Sequence, residues 1–195
     1  MAKTVFVLAS GSPRRRELLK NIGINVQVLP AKIDESALSG LSPEKMVTEL
    51  AMMKACDVAR SFSGNVLVIA ADTCVCINGK VLGKPHNREE AADMLSMLSA
   101  NTHDVYTGYC VFNCADKNAV SKYEVTHVTF KELSQKEIDA YIDTREPMDK
   151  AGAYGIQGKG SVFIEKIEGD YFNVVGLPVC SLVKLLSKEF NTEIF

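Results

Sequence analysis

Residues 4–9 read TVFVLA, and they are followed without a break by SGSPRRR at residues 10–16 and ELL at residues 17–19. The apolar run favours a β-strand, and Ser12 followed by Pro13 is typical of the cap and the first position of a helix. The stretch therefore predicts a strand, a tight loop and the start of a helix in direct succession.

The predicted loop has the chemistry of an anion site. The N–H groups at the start of a helix have no partner within the helix, and they lie at the positive end of its dipole. The guanidinium groups of Arg14, Arg15 and Arg16 add planar forks that match pairs of phosphate oxygens. Taken alone, the loop fits two interpretations equally well: a phosphate site, and a capped helix whose arginines face water.

Length and charge favour one soluble globular domain. A chain of 195 residues buries about 70% of the surface that its unfolded form exposes. We therefore expect a single domain over residues 1–195, or two lobes around a cleft. The 22 Lys and Arg residues nearly balance the 24 Asp and Glu residues, which gives a net charge of −2. This balance argues against nucleic acid and anionic membranes as partners, because they attract strongly basic proteins.

The apolar runs and the cysteines indicate the cellular compartment of the protein. Val66–Ala71 is the longest apolar run and is too short to span a bilayer, and the first residues lack the features of a signal peptide. We therefore expect a cytoplasmic protein whose six cysteines are reduced thiols. Cys74 with Cys76, or Cys110 with Cys114, leaves a zinc site conceivable, although neither spacing matches a standard zinc motif.

Helical and strand periods alternate along the whole chain, which predicts an α/β fold with a mixed, twisted sheet flanked by helices. Strands are predicted at Thr4–Ala9, Val26–Leu29, Val66–Ala71, Cys74–Ile77, Lys80–Leu82, His103–Cys114, Val120–Leu133, Val162–Ile167 and Tyr171–Val175. Helices are predicted to begin at Pro13, Pro43, Asn87, Ser134 and Pro178. The sequence predicts hairpin turns at Asn78–Gly79 and Glu168–Asp170. Glu146–Gly160 is too irregular for a regular element and has the length of a functional loop.

Asp72 is the first candidate for chemistry, because it directly follows the apolar run at residues 66–71. If the strand ends there, the carboxylate lies at the carboxyl edge of the sheet, where α/β proteins bind ligands. It would then act as a base or hold a metal, and the alternative is an aspartate that starts a turn. Asp34 and Glu35 lie in a polar loop, where paired acids are either metal ligands or solvated.

Cations that suit a polyphosphate come from four separate segments. They are Arg14, Lys54, Lys84 and Lys150. Each of them, taken alone, also fits a solvated side chain. The sequence has no Gly-x-Ser-x-Gly, Walker or Gly-x-Gly-x-x-Gly motif, which disfavours acyl transfer through a serine, motor ATPase activity and dinucleotide redox chemistry.

Several motifs occur in order along the chain: LASGSPRR at residues 8–15, ADT at 71–73, LGKP at 82–85, DKAGAYGIQG at 149–158, EG at 168–169 and NVVGLP at 173–178. Through them, and over nearly its full length, the chain resembles the Maf family of nucleoside triphosphate pyrophosphatases. The resemblance implies a homodimer whose fold is similar to that of inosine triphosphate pyrophosphatases, with a central cleft. It also implies hydrolysis of a nucleoside triphosphate to the monophosphate and pyrophosphate, assisted by a divalent cation, Mg²⁺ or Mn²⁺.

The resemblance assigns roles to the positions that match the family motifs. It implies that Asp72 is the proton acceptor, that Lys84 and Glu35 are also catalytic, and that Asp72 and Glu35 hold the metal. The substrate-binding residues that it implies are Ser10, Ser12, Arg14, Arg15, Lys54, Thr73 and Gln157. Among these, Arg14, Thr73 and Gln157 match the positions that set substrate specificity.

Two of the motifs look like the branch of the family that acts on dTTP, UTP and modified pyrimidines: Asp72-Thr73 and Tyr154–Gln157. A glutamine amide both donates and accepts hydrogen bonds, so Gln157 can read a pyrimidine edge that carries both kinds of group. Arg145 departs from the family pattern by adding a cation beside the late loop, and Asp34 stands where relatives often carry glutamate.

Two other functions stay open at this point. One is a nucleotide-binding regulator of cell division or growth with little turnover, since the family was first linked to inhibition of septum formation. The other is a pyrophosphatase of the same fold that prefers purine nucleotides. A nucleic-acid-binding module is least favoured, because the chain is slightly acidic and contains no tryptophan.

Overall fold

A computed structural model describes residues 4–34, 38 and 40–194. Its seven strands are β1 (Val5–Leu8), β2 (Val26–Val28), β3 (Val66–Ile77), β4 (Lys80–Leu82), β5 (Thr102–Asn113), β6 (Ala119–Phe130) and β7 (Ile164–Glu168). Its six α-helices are α1 (Pro13–Asn21), α2 (Pro43–Ala59), α3 (Arg88–Leu98), α4 (Gln135–Asp143), α5 (Tyr171–Val175) and α6 (Val179–Phe190). Short 3₁₀ helices occupy Glu146–Asp149, Ala151–Ala153 and Lys159–Phe163.

The seven strands form one mixed sheet. Its order is β2-β1-β3-β5-β6-β7, and β4 pairs with β3 outside this path. Strand β1 runs parallel to β2 and β3, whereas β3 pairs with β4, and β6 with β7, in antiparallel fashion. The predicted α/β fold with a mixed sheet flanked by helices is therefore confirmed.

The chain divides into two compact units. Unit 1 comprises residues 1–72, 107–124 and 176–195, and unit 2 comprises residues 73–106 and 125–175. Unit 1 consequently contains β1, β2 and helices α1, α2 and α6, and unit 2 contains β4, β7 and helices α3 to α5. The expectation of a single domain over residues 1–195 stays a prediction.

Small side chains build much of the core of unit 1. Helix α2 contributes buried Ala51, Ala55 and Ala59, which pack with strand residues such as Val7 and Val68. A helix surface lined with alanine allows the backbone of the helix to approach the sheet closely. The core of unit 1 is therefore sensitive to any added methyl group on that face.

Aromatic rings dominate the core of unit 2. The ring of Phe130 packs edge-on against both His103 and Tyr154, with centroids 5.1 and 4.8 Å away. The hydroxyl of Tyr154 lies 2.8 Å from Nε2 of His103. Burial lowers the pKa of His103 to about 4, even though the neighbouring Asp104 acts to raise it. His103 is thus a neutral core residue at physiological pH.

Most of the local signals in the sequence predict the structure correctly. Helices α2, α3 and α4 begin one residue after Ser42, Asn87 and Ser134. Asn87 accepts a hydrogen bond from the backbone of Glu90, and Ser134 forms the expected capping box. The Asn78–Gly79 turn joins β3 to β4 with φ of 51° and 75°, as a two-residue hairpin requires.

Two predicted elements are wrong. Strand β3 does not stop before Asp72 but continues without interruption to Ile77. Tyr171–Val175 is helix α5 and not the second strand of a hairpin. The side chain of Asp170 accepts a hydrogen bond from the backbone of Phe172, which favours a turn into a helix at this point.

Arg145, which departs from the family pattern, has a strained backbone. It follows helix α4 with φ of 62°, in the left-handed region that costs an ordinary residue about 1–2 kcal/mol. Its side chain is exposed.

We expect Arg145→Gly to raise the free energy of unfolding by about 1 kcal/mol, measured by urea denaturation. Ala140→Gly, on the exposed face of α4, serves as the control and is expected to lower it by a similar amount. A less stable Arg145→Gly protein would contradict the prediction.

Candidate functional site

The candidate site of unit 1 lies beyond the carboxyl end of strand β1. Pairing between β1 and β3 ends at Leu8 and Ile69, after which the N–H of Ala9 donates to the carbonyl of Ile69 at 2.8 Å. Strand β3 continues past this point to Asp72. Because the two strands are parallel, the loop that follows β1 and the carboxylate of Asp72 both lie beyond the carboxyl end of β1. The prediction that Asp72 ends its own strand is wrong, but Asp72 does lie past the end of the neighbouring strand.

Ser10 is the centre of the loop between β1 and α1. Its Oγ accepts hydrogen bonds from the backbone N–H of Ser12 at 3.2 Å and from Nη1 of Arg15 at 3.1 Å. A hydroxyl has two acceptor lone pairs and one proton to donate. With both acceptor positions used, the remaining capacity of Ser10 is donation, which suits a phosphate oxygen.

Ser12 occupies the predicted cap position of helix α1, with Pro13 as the first helical residue. Its side chain makes no capping hydrogen bond, which differs from the usual role of serine at this position. The backbone N–H groups at the start of α1 are therefore not capped by Ser12. The start of α1 therefore still fits the anion-binding loop that the sequence predicts.

The three consecutive arginines are not equivalent. The Nε of Arg15 donates to the carbonyl of Gly176 at 2.7 Å, while its Nη1 holds Ser10. Arg14 is partly buried and Arg16 is exposed. Arg15 thus connects the loop to the segment that precedes α6, a contact that no pattern in the sequence indicates.

Lys54 and Asp72 form the charged pair of the candidate site. Nζ of Lys54, on helix α2, lies 2.6 Å from Oδ1 of Asp72, on strand β3. The two side chains are only 14% and 15% exposed. Partly desolvated charges are stable when they are paired, so each of these two residues fixes the position of the other.

The donor chemistry at Asp72 fits a divalent cation. Mg²⁺ is usually bound through one or two carboxylates together with substrate phosphates, and it keeps several waters. Asp72 supplies one such carboxylate. Glu35, the other predicted ligand and catalytic residue, lies outside the residues that the structure describes. Within the described residues, no group of three or more His, Cys, Asp or Glu side chains is placed to hold a metal ion on its own.

The remaining predicted site residues belong to unit 2. Thr73 is partly buried, whereas Lys84 and Gln157 are exposed. Lys84 follows Gly83, whose carbonyl accepts a hydrogen bond from the backbone of Gly152 at 3.0 Å. This contact joins the segment after β4 to the late loop within unit 2.

Glu146 holds the late loop together from inside. Its carboxylate accepts hydrogen bonds from the Tyr141 hydroxyl at 2.9 Å, the N–H of Lys159 at 2.9 Å and the N–H of Gly160 at 3.3 Å. Burial acts to raise the pKa of Glu146, but the backbone donors and Tyr141, with Lys150, outweigh it and leave the pKa below its usual value. Glu146 is therefore an ionised internal anchor.

Lys150 takes part in the same loop. Its Nζ lies 2.7 Å from the carbonyl oxygen of Glu146 and 2.6 Å from the carboxylate of Asp149. The side chain is 14% exposed. The structure therefore places Lys150 in loop packing, whereas the sequence had grouped it with Arg14, Lys54 and Lys84 as a candidate phosphate ligand.

The cysteines of the conceivable zinc site lie in the packed parts of the chain. Cys74, Cys76, Cys110 and Cys114 are buried and form no disulfide. Burial raises the pKa of Cys110 to about 12 and raises that of Cys114 as well. Protonated thiols in an apolar setting are poor metal ligands, because zinc binds the thiolate.

Among the described residues, none of the helices combines the length and the apolar character that crossing a membrane requires.

A family model and curated relatives match nearly the whole chain. The family model described as Maf-like protein matches residues 5–189. A protein of Alkaliphilus oremlandii (strain OhILAs) named dTTP/UTP pyrophosphatase is 50% identical over 188 residues, which cover 96% of this chain and 97% of the relative. A protein of Bacillus anthracis (strain CDC 684 / NRRL 3495) with the same name is 48% identical, with 96% of each chain covered. The Staphylococcus aureus Ham1 structure overlaps 65% of this chain and 72% of its own, with 16% identity and a TM-score of 0.48.

Proposed function

Because the chain belongs to the Maf-like protein family, as its motifs predicted, we propose that it hydrolyses nucleoside triphosphates to the nucleoside monophosphate and pyrophosphate. We propose dTTP and UTP, with modified pyrimidine analogues, as the substrates, since full-length relatives at 48–50% identity are named for dTTP and UTP. The observation that carries the proposal is the Lys54–Asp72 pair, which lies beyond the same end of β1 as the Ser10–Ser12 loop.

Phosphate binding is assigned to the loop after β1 and to cations that match the family motifs. Ser10 retains a proton to donate, the side chain of Ser12 makes no capping hydrogen bond to α1, and Arg14 supplies a partly buried guanidinium. Phosphoryl transfer depends mainly on such positioning and charge stabilisation. Arg15 supports this site by holding Ser10, and Lys54 and Lys84 add positive charge for the phosphates.

Asp72 is the proposed general base. Lys54 donates to Oδ1, so Oδ2 is the oxygen assigned to accept the proton of the attacking water. The water attacks the α-phosphorus, the bond to the bridging oxygen breaks, and pyrophosphate leaves with that oxygen. A water held within hydrogen-bond reach of a fixed carboxylate meets the geometric requirement for general base catalysis.

A divalent cation, Mg²⁺ or Mn²⁺, belongs to this proposal, with Asp72 and Glu35 as its protein ligands. When bound, such an ion would neutralise charge on the phosphate oxygens and on the leaving pyrophosphate. The residues of the chain orient the substrate, and Asp72 handles the proton.

Base selection is assigned to Arg14, Thr73 and Gln157. The amide of Gln157 offers one donor and one acceptor, which complement the carbonyl and N–H groups of thymine and uracil. The family resemblance that supports the activity also supports a homodimer, a cytoplasmic location, and a nucleoside triphosphate as the partner in place of nucleic acid or a membrane.

A substrate panel tests the proposal. Pyrophosphate release by the purified protein is measured with dTTP, UTP, CTP, ATP, GTP and 7-methyl-GTP, with Mg²⁺, with Mn²⁺ and after chelation by EDTA. We expect selective turnover of dTTP and UTP that stops on chelation and returns when metal is added. Tight nucleotide binding without turnover would overturn hydrolysis in favour of the regulator, and a purine preference would overturn the role given to Thr73 and Gln157.

A further inference from the structure

The segment on both sides of Gln157 is anchored to one carboxylate. On the C-terminal side, the N–H groups of Lys159 and Gly160 donate directly to Glu146. On the N-terminal side, the N–H of Gly155 donates to the Tyr141 hydroxyl at 3.1 Å, and that hydroxyl in turn donates to Glu146. The loop that presents Gln157 therefore closes around Glu146.

The fit of the loop around this carboxylate is tight. A Cβ atom built on Gly158, the residue after Gln157, would lie 2.3 Å from Oε1 of Glu146. No side chain can occupy that space while Glu146 keeps its place, so the backbone next to Gln157 is shaped to the carboxylate. Gln157 itself is exposed at the outside of this turn.

A freely rotating glutamine amide is a poor discriminator between pyrimidines. Turning over the amide exchanges its donor and acceptor, so the same side chain can pair with the N–H and carbonyl of uracil or with the ring nitrogen and amino group of cytosine. Selection of dTTP and UTP over CTP needs the amide to be held in one orientation, and a fixed backbone position is the first condition for that. Fixing both flanks of the residue is one way to achieve this.

We propose that Glu146 is a positioning residue for base selection. Its carboxylate fixes the backbone from Gly155 to Gly160, and thereby the position from which Gln157 reads the base. This inference rests on the proposed function, because it takes Gln157 to be a base-reading residue. Glu146 acts through Gln157 and is not assigned any contact with the substrate.

Glu146→Gln is the decisive variant, because the substitution changes little in size. The amide can accept the hydrogen bonds made to one oxygen, but its NH₂ group cannot accept the N–H of Lys159 or Gly160 on the other side. Glu137→Gln is the matched control. Glu137 also accepts a backbone N–H and a hydroxyl, both from Ser134, and it lies in the same unit, where it pairs with Lys131 instead of with the backbone beside Gln157.

Two readouts are needed for the wild-type protein and both variants. The first is kcat and KM for dTTP, UTP and CTP. We expect Glu146→Gln to lower the dTTP preference over CTP by about tenfold, mainly through KM, which is the size of one well-placed hydrogen bond. The second is amide hydrogen exchange, in which we expect faster exchange across residues 158–160. Glu137→Gln is expected to change neither readout.

The outcomes separate this inference from the function on which it rests. A wild-type protein without pyrimidine triphosphate turnover overturns both. A wild-type protein that prefers dTTP and UTP, with the same preference in folded Glu146→Gln, overturns the inference alone, as does an equal loss of preference in Glu137→Gln. Should Glu146→Gln fail to fold, Tyr141→Phe removes only the hydroxyl link. A smaller fall in the same ratio is then expected, and an unchanged ratio overturns the inference.

Discussion

Asp72→Asn is expected to lower kcat for dTTP by about 10³-fold, within the range of 10²–10⁴ that a general base contributes. Asparagine keeps an oxygen that can accept the hydrogen bond from Lys54, which lies 2.6 Å from Oδ1 in the parent protein. The variant loses the oxygen that takes up the proton of the attacking water. The free energy of unfolding is expected to fall by less than about 1.5 kcal/mol, because the Lys54 ammonium can still donate a hydrogen bond to the neutral amide oxygen. Steady-state pyrophosphate release and urea denaturation measure the two effects.

Asp57→Asn is the matched control for this experiment. Asp57 also lies in unit 1, on helix α2, where its Oδ2 accepts a hydrogen bond from the backbone of Lys32 at 2.9 Å. Asparagine can accept the same bond, and Asp57 is not assigned to the site, so we expect kcat within about twofold of the parent value. Turnover by Asp72→Asn close to that of Asp57→Asn would refute the assignment of Asp72 as the base.

Gly108→Ala is expected to lower the stability of the protein more than any other Gly→Ala substitution at a described glycine of unit 1. A Cβ at Gly108, on strand β5, would lie 2.2 Å from the carbonyl oxygen of Val47 and 2.6 Å from the N atom of Thr48, both in the backbone of α2. Backbone atoms in the middle of a helix cannot move aside as the end of a side chain can. We expect the free energy of unfolding to fall by about 3 kcal/mol or more, measured by urea denaturation and by the shift in Tm.

The control for this prediction is Gly83→Ala. A Cβ at Gly83 would have open space around it, with nothing within 4 Å. Its effect is expected to stay within about 0.5 kcal/mol. If Gly108→Ala proved as stable as Gly83→Ala, helix α2 would have to lie farther from strand β5 than the structure places it.

The elements that the sequence predicts well are those whose signals are local. Ser42 before Pro43, the cap at Asn87 and the capping box at Ser134 each involve residues within one turn of the helix start. The hairpin at Asn78–Gly79 depends only on the backbone freedom of its two turn residues. These contacts form wherever the segment lies in the fold, so no tertiary information is needed to predict them.

The two wrong elements depend on contacts with distant parts of the chain. The composition of Tyr171–Val175 favours a strand, yet the Nδ2 of Asn173 donates to the carbonyl of Val105 at 2.9 Å and to Oγ1 of Thr126 at 3.0 Å, in a helix. Strand β3 continues past Asp72 as one long element of the sheet, in which its neighbours are the distant strands β1 and β5. Tertiary packing overrides local propensity at both places.

The residues of the candidate site also divide into those that the sequence identifies and those that only the folded structure identifies. Ser10, Lys54 and Asp72 carry recognisable chemistry, and the structure brings Lys54 and Asp72 together. The contact of Arg15 with Gly176 and the hydrogen bonds to Glu146 could not be predicted, because they depend on which residues the fold brings together. The close spacing of glycines after Tyr154 was the one sequence signal that could have indicated a backbone wrapped tightly around another group.

The bond between Arg15 and Gly176 spans 161 positions of the chain. Unit 1 is assembled from its first, a middle and its last segment, whereas unit 2 is complete once residue 175 has been synthesised. During translation, the loop that holds Ser10 leaves the ribosome long before the residue to which Arg15 donates has been synthesised. A growing chain therefore cannot complete the loop until the segment around Gly176 has emerged and folded against it.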